Sequence, residues 1–461
     1  MKKILLISFF TILLKIGFSQ IAPDTYVIRF KDKIGTKYSI DKPEEFLSQR
    51  ALNFKKKYKI PITEQDLPVS ETYVNKLKDM GFEVLTTSKW FNLAVVKTEK
   101  KKLLNKAKNL DFVLDGEPEK IKKNPNNSVQ TYKAPEFEII PAHKTDVYAY
   151  GKANVQNEMI RINYLHNEGF SGEGIQIAVL DAGFKHADKL PVFEELFKNK
   201  KILGVRDFVD RDGEVYLNDS HGMQVLSTMG ANLPGIMVGT APKANFWLIR
   251  TEQAATEYLV EEYYWIAGAE LADSLGCDII HSSLGYNDFD DKTTNHTYED
   301  MDGNSTPISI AADIASAKGI LVVTSAGNDG YSEWKYITAP ADADSILTVG
   351  AATGEKGYAY FSSKGPTYDK RIKPDAMAMG MWTAIQDNNG TISEANGTSF
   401  SGPIIAGAAA CLWQANPEAT NMEIIEAIRK SGDRYEKPDG DFGFGIANFA
   451  KADQYLKKLK K

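Results

Sequence analysis

Three side chains of the types used in acyl transfer stand in distinctive surroundings along the chain. Asp181 closes the apolar run Ile177–Leu180, and His221 directly precedes a stretch of small and apolar residues. Ser399 lies just before a small-residue segment that is predicted to be a helix, whose amino-terminal end offers a positive dipole and unpaired amides. Acyl transfer by a serine needs a base and a group that orients this base. We therefore predict Ser399 as nucleophile, His221 as general base and Asp181 as its orienting carboxylate.

The elements that must position these residues begin at about Gly151, where apolar strands alternate with longer helical stretches. This pattern predicts a mostly parallel sheet with helices on both faces. Ligand sites of such sheets lie outside the carboxyl ends of the strands, which singles out Asp181, 283–285 and 325–328. The predicted strands are Ile175–Leu180, Phe246–Arg250, Ile279–Ser283, Ile320–Thr324 and Ile346–Val349, and the predicted helices include Glu257–Leu275 and Ile308–Ala317.

The order Asp, His, Ser and the surrounding motifs resemble the subtilisin-like serine peptidases, or subtilases. Further motifs that carry the resemblance are Asn218–Gly222, Gly239–Ala244, Ser282–Gly285, Ser325–Asn328, Phe361–Pro366, Lys373–Asp375 and Asn396–Pro403. The likeness covers about residues 151–450. It implies an α/β, subtilisin-like fold and a serine endopeptidase that acts on proteins or peptides through an acyl-enzyme and requires no cofactor.

Carried over residue by residue, the resemblance makes Asn328 the side-chain donor to the oxyanion. Ser283, Leu284 and Gly285 would pair with the substrate backbone, and Ser325, Ala326 and Gly327 would form a wall of the pocket beside the scissile bond. The chain departs from the usual motifs at Ala182, Gln224, Phe400 and Met379. These departures bear on the shape of the pocket, and none of them changes a reacting group.

Residues 20–120 have the pattern of a small α+β domain, with the order βαββαβ. Its predicted elements are a strand at Tyr26–Phe30, a helix at Glu71–Met80 capped by Ser70, strands at Phe82–Thr87 and Phe91–Thr98, a helix at Lys101–Asn109 and a strand at Phe112–Leu114. It resembles the subtilase propeptide, an intramolecular chaperone and inhibitor. We expect a propeptide at 20–120, a linker and processing region at 121–150 and the catalytic domain at 151–461, made as a self-processing zymogen.

The amino terminus has the pattern of a signal peptide over residues 1–19, with lysines before an apolar run and small residues after it. Export to the periplasm or the medium is therefore expected. No later stretch reaches the roughly 20 apolar residues of a membrane span, so no membrane anchor is expected. Cys277 and Cys411 lie in apolar segments, which favours two buried free thiols over a single bridge.

Charge is divided unevenly along the chain, with about +6 over residues 20–140 and about −15 over residues 141–461. Regions of opposite charge can attract each other, but charge alone favours two independently solvated surfaces. The basic residues are not interleaved with a binding motif for nucleic acid, so no such partner is expected.

Several residues have a plainer interpretation beside the functional one. His281 is better explained as a satisfied core histidine, and Asn328 stands in a Gly-Asn-Asp-Gly sequence that also suits a turn. The acidic runs at 288–291 and 299–303 could bind calcium, but they lack EF-hand spacing, so solvated loops are favoured and no metal site is predicted.

Two other functions remain as alternatives. An esterase of the α/β-hydrolase type would need a G-x-S-x-G elbow and the order Ser, Asp, His, whereas Ser399 comes last here. A catalytically inactive binding module would usually lack a member of the triad.

Overall fold

The computed structural model describes residues 18–114, 132–133, 135–136 and 145–459. The predicted signal peptide, apart from its last two residues, and most of the predicted linker lie outside the described residues. Within the described ranges, no helix combines the length and hydrophobicity that crossing a bilayer requires.

The amino-terminal domain is an antiparallel sheet covered by short helices. Its elements are β1 (Gln20–Ala22), β2 (Thr25–Arg29), α1 (Gln49–Lys57), α2 (Glu71–Asp79), β3 (Glu83–Ser88), β4 (Leu93–Lys97) and α3 (Lys101–Ala107). The strand order is β1-β2-β4-β3. Alternate apolar residues such as Tyr26 and Ile28 of β2 pack with Leu77 of α2 in its core, as the period of two in the sequence requires.

The predicted elements of this domain are confirmed up to the second helix, with shifts of a few residues at their ends. Ser70 caps α2 as predicted, because its hydroxyl accepts a hydrogen bond from the N–H of Tyr73. The predicted last strand is reduced to a single antiparallel bridge between Val113 and Phe30, flanked by hydrogen bonds from Lys31 to Phe112 and from Leu114 to Arg29. β1 and α1 were not predicted.

The carboxyl-terminal domain is built on a seven-stranded sheet within the described residues, and all of its strand pairs are parallel. Its strands are β5 (Gln176–Asp181), β6 (Ile202–Asp207), β9 (Asn245–Arg250), β10 (Ile279–Ser282), β11 (Leu321–Ser325), β12 (Leu347–Ala352) and β13 (Ala376–Met379). They are arranged in the order β13-β12-β11-β10-β5-β9-β6. Two hairpins, β7 (Asn232–Leu233) with β8 (Met237–Val238) and β14 (Thr383–Gln386) with β15 (Ile392–Ala395), stand outside this sheet.

Helices cover both faces of this sheet. They are α4 (Asn154–Met159), α5 (Ile162–Asn167), α6 (Glu194–Lys198), α7 (His221–Gly230), α8 (Val260–Leu275), α9 (Pro307–Ala317), α10 (Thr398–Ala415), α11 (Asn421–Ser431) and α12 (Phe449–Leu459). Successive residues of β5 point to opposite faces: Val179 joins the core beneath α7 and α10, and Ala178 joins the core beneath α8 and α9. A central strand buried on both sides explains the continuous apolar run that predicted it.

The two domains are joined by buried charges. Asp273 of α8 binds Lys55 at 2.6 Å and Lys89 at 3.0 Å, both from the amino-terminal domain. Burial opposes the ionisation of Asp273, but the two ammonium groups outweigh it and hold the pKa of this carboxyl below its usual range. One of the buried pairs has the reverse polarity, with Lys318 of the carboxyl-terminal domain 2.9 Å from Asp66. The expectation of two independently solvated surfaces is therefore wrong at this interface.

Glu270, one turn before Asp273 on α8, holds the β3–β4 turn of the amino-terminal domain. Its carboxylate accepts hydrogen bonds from the backbone N–H groups of Lys89 and Trp90, each at 2.9 Å, and from the hydroxyl of Ser88. Next to it, Gly276 ends α8 with a φ of +76°, and a Cβ atom there would lie 2.5 Å from the backbone nitrogen of Ala51. Glycine is needed at this point both for the turn and for the approach of α1.

Candidate active site

Asp181 and His221 meet where β5 ends and α7 begins. His221 Nδ1 lies 2.8 Å from Asp181 Oδ1, and the carboxylate is fully buried. A Cβ atom on Gly222 would lie 2.5 Å from the carbonyl oxygen of Gly183 and 2.8 Å from Asp181 Cβ. The glycine after the histidine therefore lets α7 approach the end of β5 closely enough for this contact.

The pKa of His221 depends on two opposing effects. Burial works against the charged imidazole, but the Asp181 carboxylate outweighs this effect and raises the pKa of His221 to about 9. Asp181 Oδ1 also accepts a hydrogen bond from the N–H of Ala182 at 2.8 Å. The arrangement fixes which imidazole nitrogen faces the carboxylate and leaves Nε2 for another partner.

Ser399 is the second residue of α10 and is 7% exposed. Its hydroxyl lies 3.5 Å from the carbonyl oxygen of Ser283, and the structure records no hydrogen bond between it and His221, although both residues are described. The neighbouring Phe400 ring has its centroid 6.1 Å from that of His221. A hydrogen bond between this hydroxyl and the imidazole has to form before proton transfer, and catalytic hydrogen bonds often tighten only when substrate is bound.

The first turn of α10 is held in place by serines of two adjacent strand ends. Pro403 has no N–H, so the carbonyl of Ser399 lacks its helical partner four residues on. The hydroxyl of Ser283 donates to this carbonyl at 3.0 Å, and the hydroxyl of Ser325 donates to the carbonyl of Thr398 at 2.8 Å. Two residues predicted to line the substrate cleft thus also orient the predicted nucleophile.

Asn328 is tied to the same turn. Its Oδ1 accepts hydrogen bonds from the backbone N–H of Thr398 at 2.9 Å and from the Thr398 hydroxyl at 3.0 Å. The side-chain amide nitrogen is therefore the end that points away from Thr398. The N–H of Ser399, at the second position of a helix, also lacks a helical acceptor. Asn328 is thus held to the residue that directly precedes the predicted nucleophile.

Ser283, Leu284 and Gly285 follow β10, whereas Ser325 is the last residue of β11 and is followed by Ala326 and Gly327. Thr338, which was not predicted, lies between the two segments: its Oγ1 would be 2.2 Å from a Cβ atom on Gly285 and 3.0 Å from one on Gly327. This hydroxyl is buried and has no hydrogen-bond partner within the described residues. No motif marks Thr338 in the sequence, because only the folded chain brings it beneath the two glycines.

Other expectations for individual residues are confirmed. His281 is fully buried, with its ring nitrogens bonded to the carbonyl of Val323 at 3.1 Å and the hydroxyl of Ser283 at 2.9 Å. Burial lowers its pKa to about 3, so the ring is neutral. Cys277 and Cys411 are free and buried, and burial raises the pKa of both thiols. Neither cysteine is suited to act as a nucleophile.

Comparison with known proteins gives matches over both domains. A family model described as the subtilase family (Peptidase S8) matches residues 172–445, and the peptidase S8 propeptide domain of Bacteroidota matches residues 25–134. Subtilisin E of Bacillus subtilis strain 168 is 28% identical over 300 residues, which cover 64% of this chain and 70% of subtilisin E. The serine protease AprX of the same organism is 28% identical over 328 residues, covering 64% of this chain and 69% of AprX.

Among solved structures, MycP1 with its propeptide removed has a TM-score of 0.52 and 24% identity, covering 65% of this chain and 96% of MycP1. This likeness shows the fold. The predicted family and fold class are confirmed.

Proposed function

The chain belongs to the subtilase family of serine endopeptidases and carries an S8 propeptide domain, and from this premise we propose that Asp181, His221 and Ser399 carry out its catalysis. The observation that carries the proposal is the 2.8 Å contact between Asp181 and His221, made at the carboxyl edge of the sheet where the first turn of α10 presents Ser399. An inactive binding module would have no need of this contact.

In the proposed mechanism, His221 Nε2 takes the proton of the Ser399 hydroxyl as its oxygen attacks the scissile carbonyl. The Asp181 carboxylate stabilises the resulting imidazolium. The amide nitrogen of Asn328 and the N–H of Ser399 donate to the oxyanion. His221 then gives its proton to the leaving amine, and water releases the acyl group by the same steps in reverse.

The substrate is proposed to lie extended between the segments 283–285 and 325–327. The backbone of the first segment is proposed to pair with the substrate main chain as an added strand. The side chain beside the scissile bond is proposed to lie against the segment 325–327.

We further propose that the protein is exported and that it removes its own propeptide. Export is supported by the signal-peptide pattern at 1–19. Self-processing is supported by the propeptide match and by the docking of residues 18–114 on α8. A tail leaving this domain would fill the cleft as an added strand, so inhibition before its removal would be competitive.

Replacement of Asn328 by alanine should lower kcat by about 10²- to 10³-fold with little change in KM, the range known for the oxyanion asparagine of subtilisin. The reason is that the amide donates to charge that exists only in the transition state. Steady-state kinetics on a fluorogenic peptide measure the effect. A change confined to KM would contradict the assignment.

A serine-directed fluorophosphonate should label Ser399 at a rate that rises about tenfold per pH unit and levels off near pH 9. Protonated His221 cannot accept the proton of the serine, so reactivity is lost as the pH falls below the pKa of the imidazole. Mass spectrometry of the labelled peptide and the pH dependence of the labelling rate test the proposal together.

Two controls sharpen this test. Asp181→Asn removes the carboxylate that raises the pKa of His221, so labelling should become slower and level off at a lower pH. His221→Ala should abolish labelling. Labelling of Ser401 instead of Ser399, or a rate that does not depend on pH, would show that the assignment is wrong.

A further inference from the structure

A group of acidic side chains near the triad has no part in the proposed mechanism. Carboxylate oxygens of Glu252, Glu257 and Glu261 lie within 4.8 Å of one another. Glu261 is 1% exposed, whereas the other two are half-buried. Burial, reinforced by neighbouring carboxylates, raises the pKa of Glu252 to about 8, that of Glu257 to about 7 and that of Glu261 to about 10. A cation placed among these three side chains would stabilise their ionised form.

The position of this acidic group ties it to the cleft. Glu252 comes two residues after Arg250, which ends β9 and pairs in register with Asp181 at the end of β5. The charge of Glu252 helps to raise the pKa of His221, and the charge of Asp181 helps to raise the pKa of Glu252. The acidic group therefore lies at the same edge of the sheet as the proposed catalytic residues.

A second observation points to a missing ligand. The hydroxyl of Tyr286, which directly follows Gly285, is in a side chain only 1% exposed and has no hydrogen-bond partner among the described residues. The carboxylates of Glu252, Glu261 and Glu257 all act on it electrostatically. Glu261 Oε2 is likewise buried and without a partner. Buried polar atoms are seldom left unpaired, so these oxygens are suited to accept hydrogen bonds from an incoming donor.

We propose that Glu252, Glu257 and Glu261 form a subsite for the cationic side chain of a substrate lysine or arginine. An ammonium or guanidinium group carries several N–H donors and no acceptor, which matches a wall of carboxylates and one phenol oxygen. A divalent cation is also positively charged and could bind the carboxylates. A neutral phenol oxygen, however, is better suited to accept a hydrogen bond from an N–H group than to coordinate a metal ion. The subsite rests on the proposed endopeptidase function and narrows it to substrates with a basic residue near the scissile bond.

The chain itself contains residues of the required charge between its two domains. Lys120, Lys122 and Lys123 lie within four positions at the expected boundary between the propeptide and the processing region. Their structure is outside the described residues, and the subsite does not depend on it.

The test is a fluorogenic peptide library in which each position from four residues before the scissile bond to two after it carries Lys, Arg or Gln. The mature enzyme should show a kcat/KM about tenfold or more higher for Lys or Arg than for Gln at one of these positions. Glu252→Gln and Glu257→Gln, both at half-buried positions, should each reduce this ratio severalfold. Glu355→Gln, a change of an exposed glutamate in the turn after β12, is the matched control and should keep the ratio of the unaltered enzyme.

Each result decides between the possibilities. Equal kcat/KM for basic and neutral peptides in the unaltered enzyme would overturn the subsite while leaving the endopeptidase function intact. A ratio that disappears with a chelator and returns with calcium would also overturn it, in favour of a bound metal. Failure to cleave any member of the library or casein would instead contradict the proposed function. A ratio lowered in both variants, unaffected by chelator and unchanged in the control, supports the subsite.

Discussion

Replacement of Ser399 by alanine is expected to lower peptide hydrolysis by about 10⁶-fold, the size of the loss known for the nucleophile of subtilisin. The oxyanion donors would remain, but no oxygen would be present to form the acyl-enzyme. The double variant with His221→Ala should lose little more than either single variant, because the members of a triad act as one unit. Initial rates on a fluorogenic peptide and on casein measure both effects.

The same variant tests self-processing. Ser399→Ala protein should accumulate as a precursor of full length less its leader, whereas the unaltered protein should be shortened beyond the propeptide. Amino-terminal sequencing and intact mass distinguish the two forms and locate the cut. Maturation of the purified variant by itself would refute self-processing. Ser401→Ala, a change to the neighbouring hydroxyl, is the control and should still be processed.

Glu270→Ala is expected to weaken inhibition by the separately made propeptide domain by about 10²- to 10⁴-fold. Removal of one partner from a buried charged network costs about 3–5 kcal/mol. Here, docking would leave the N–H groups of Lys89 and Trp90 and the hydroxyl of Ser88 without acceptors. Inhibition constants measured against mature enzyme give the effect directly.

The control for Glu270 is an exposed ion pair at the same interface, formed by Arg211 and Glu83. Glu83→Ala should change the inhibition constant by less than about fivefold, because solvent screens the pair. Association should slow as salt rises, while the buried contacts keep the complex together. If the unaltered domain failed to inhibit at micromolar concentration, its role as an inhibitory propeptide would be refuted.

The sheet and the proposed triad could be predicted because their signals are local in the sequence. Asp181 follows a short apolar run that predicts a buried strand, and the rule for carboxyl ends then places it at the functional edge. By contrast, β6 at one edge of the sheet and β13 at the other were not predicted. Residues 202–207 of β6 alternate between half-buried and exposed until the last one, so their pattern lacks the continuous apolar run of a central strand.

Residues that act through contacts distant in sequence were also not predicted. Thr338 reaches the cleft only because the chain folds back beneath Gly285 and Gly327. Helix α1 carries polar residues that are typical of a solvated surface, but in the folded protein Lys55 of this helix binds Asp273. Partners of this kind cannot be identified from period or composition, because both sides of the contact look like ordinary surface.

The strand order of the sheet also has a kinetic consequence. β5 pairs with β10, whose residues come about a hundred positions later, so the entropy of closing this long loop must be lost before the pairing brings any gain. The sheet of the amino-terminal domain closes somewhat shorter loops, the longest being the 72 positions between Thr25 and Lys97, and we expect this smaller domain to fold first. Once folded, it offers Lys55, Lys89 and the β3–β4 turn as a preformed surface for α8, the helix that connects β9 to β10. Binding of that helix would bring the two strands beside β5 toward their places, so we expect the domain to lower the entropic barrier to folding of the domain on which it docks.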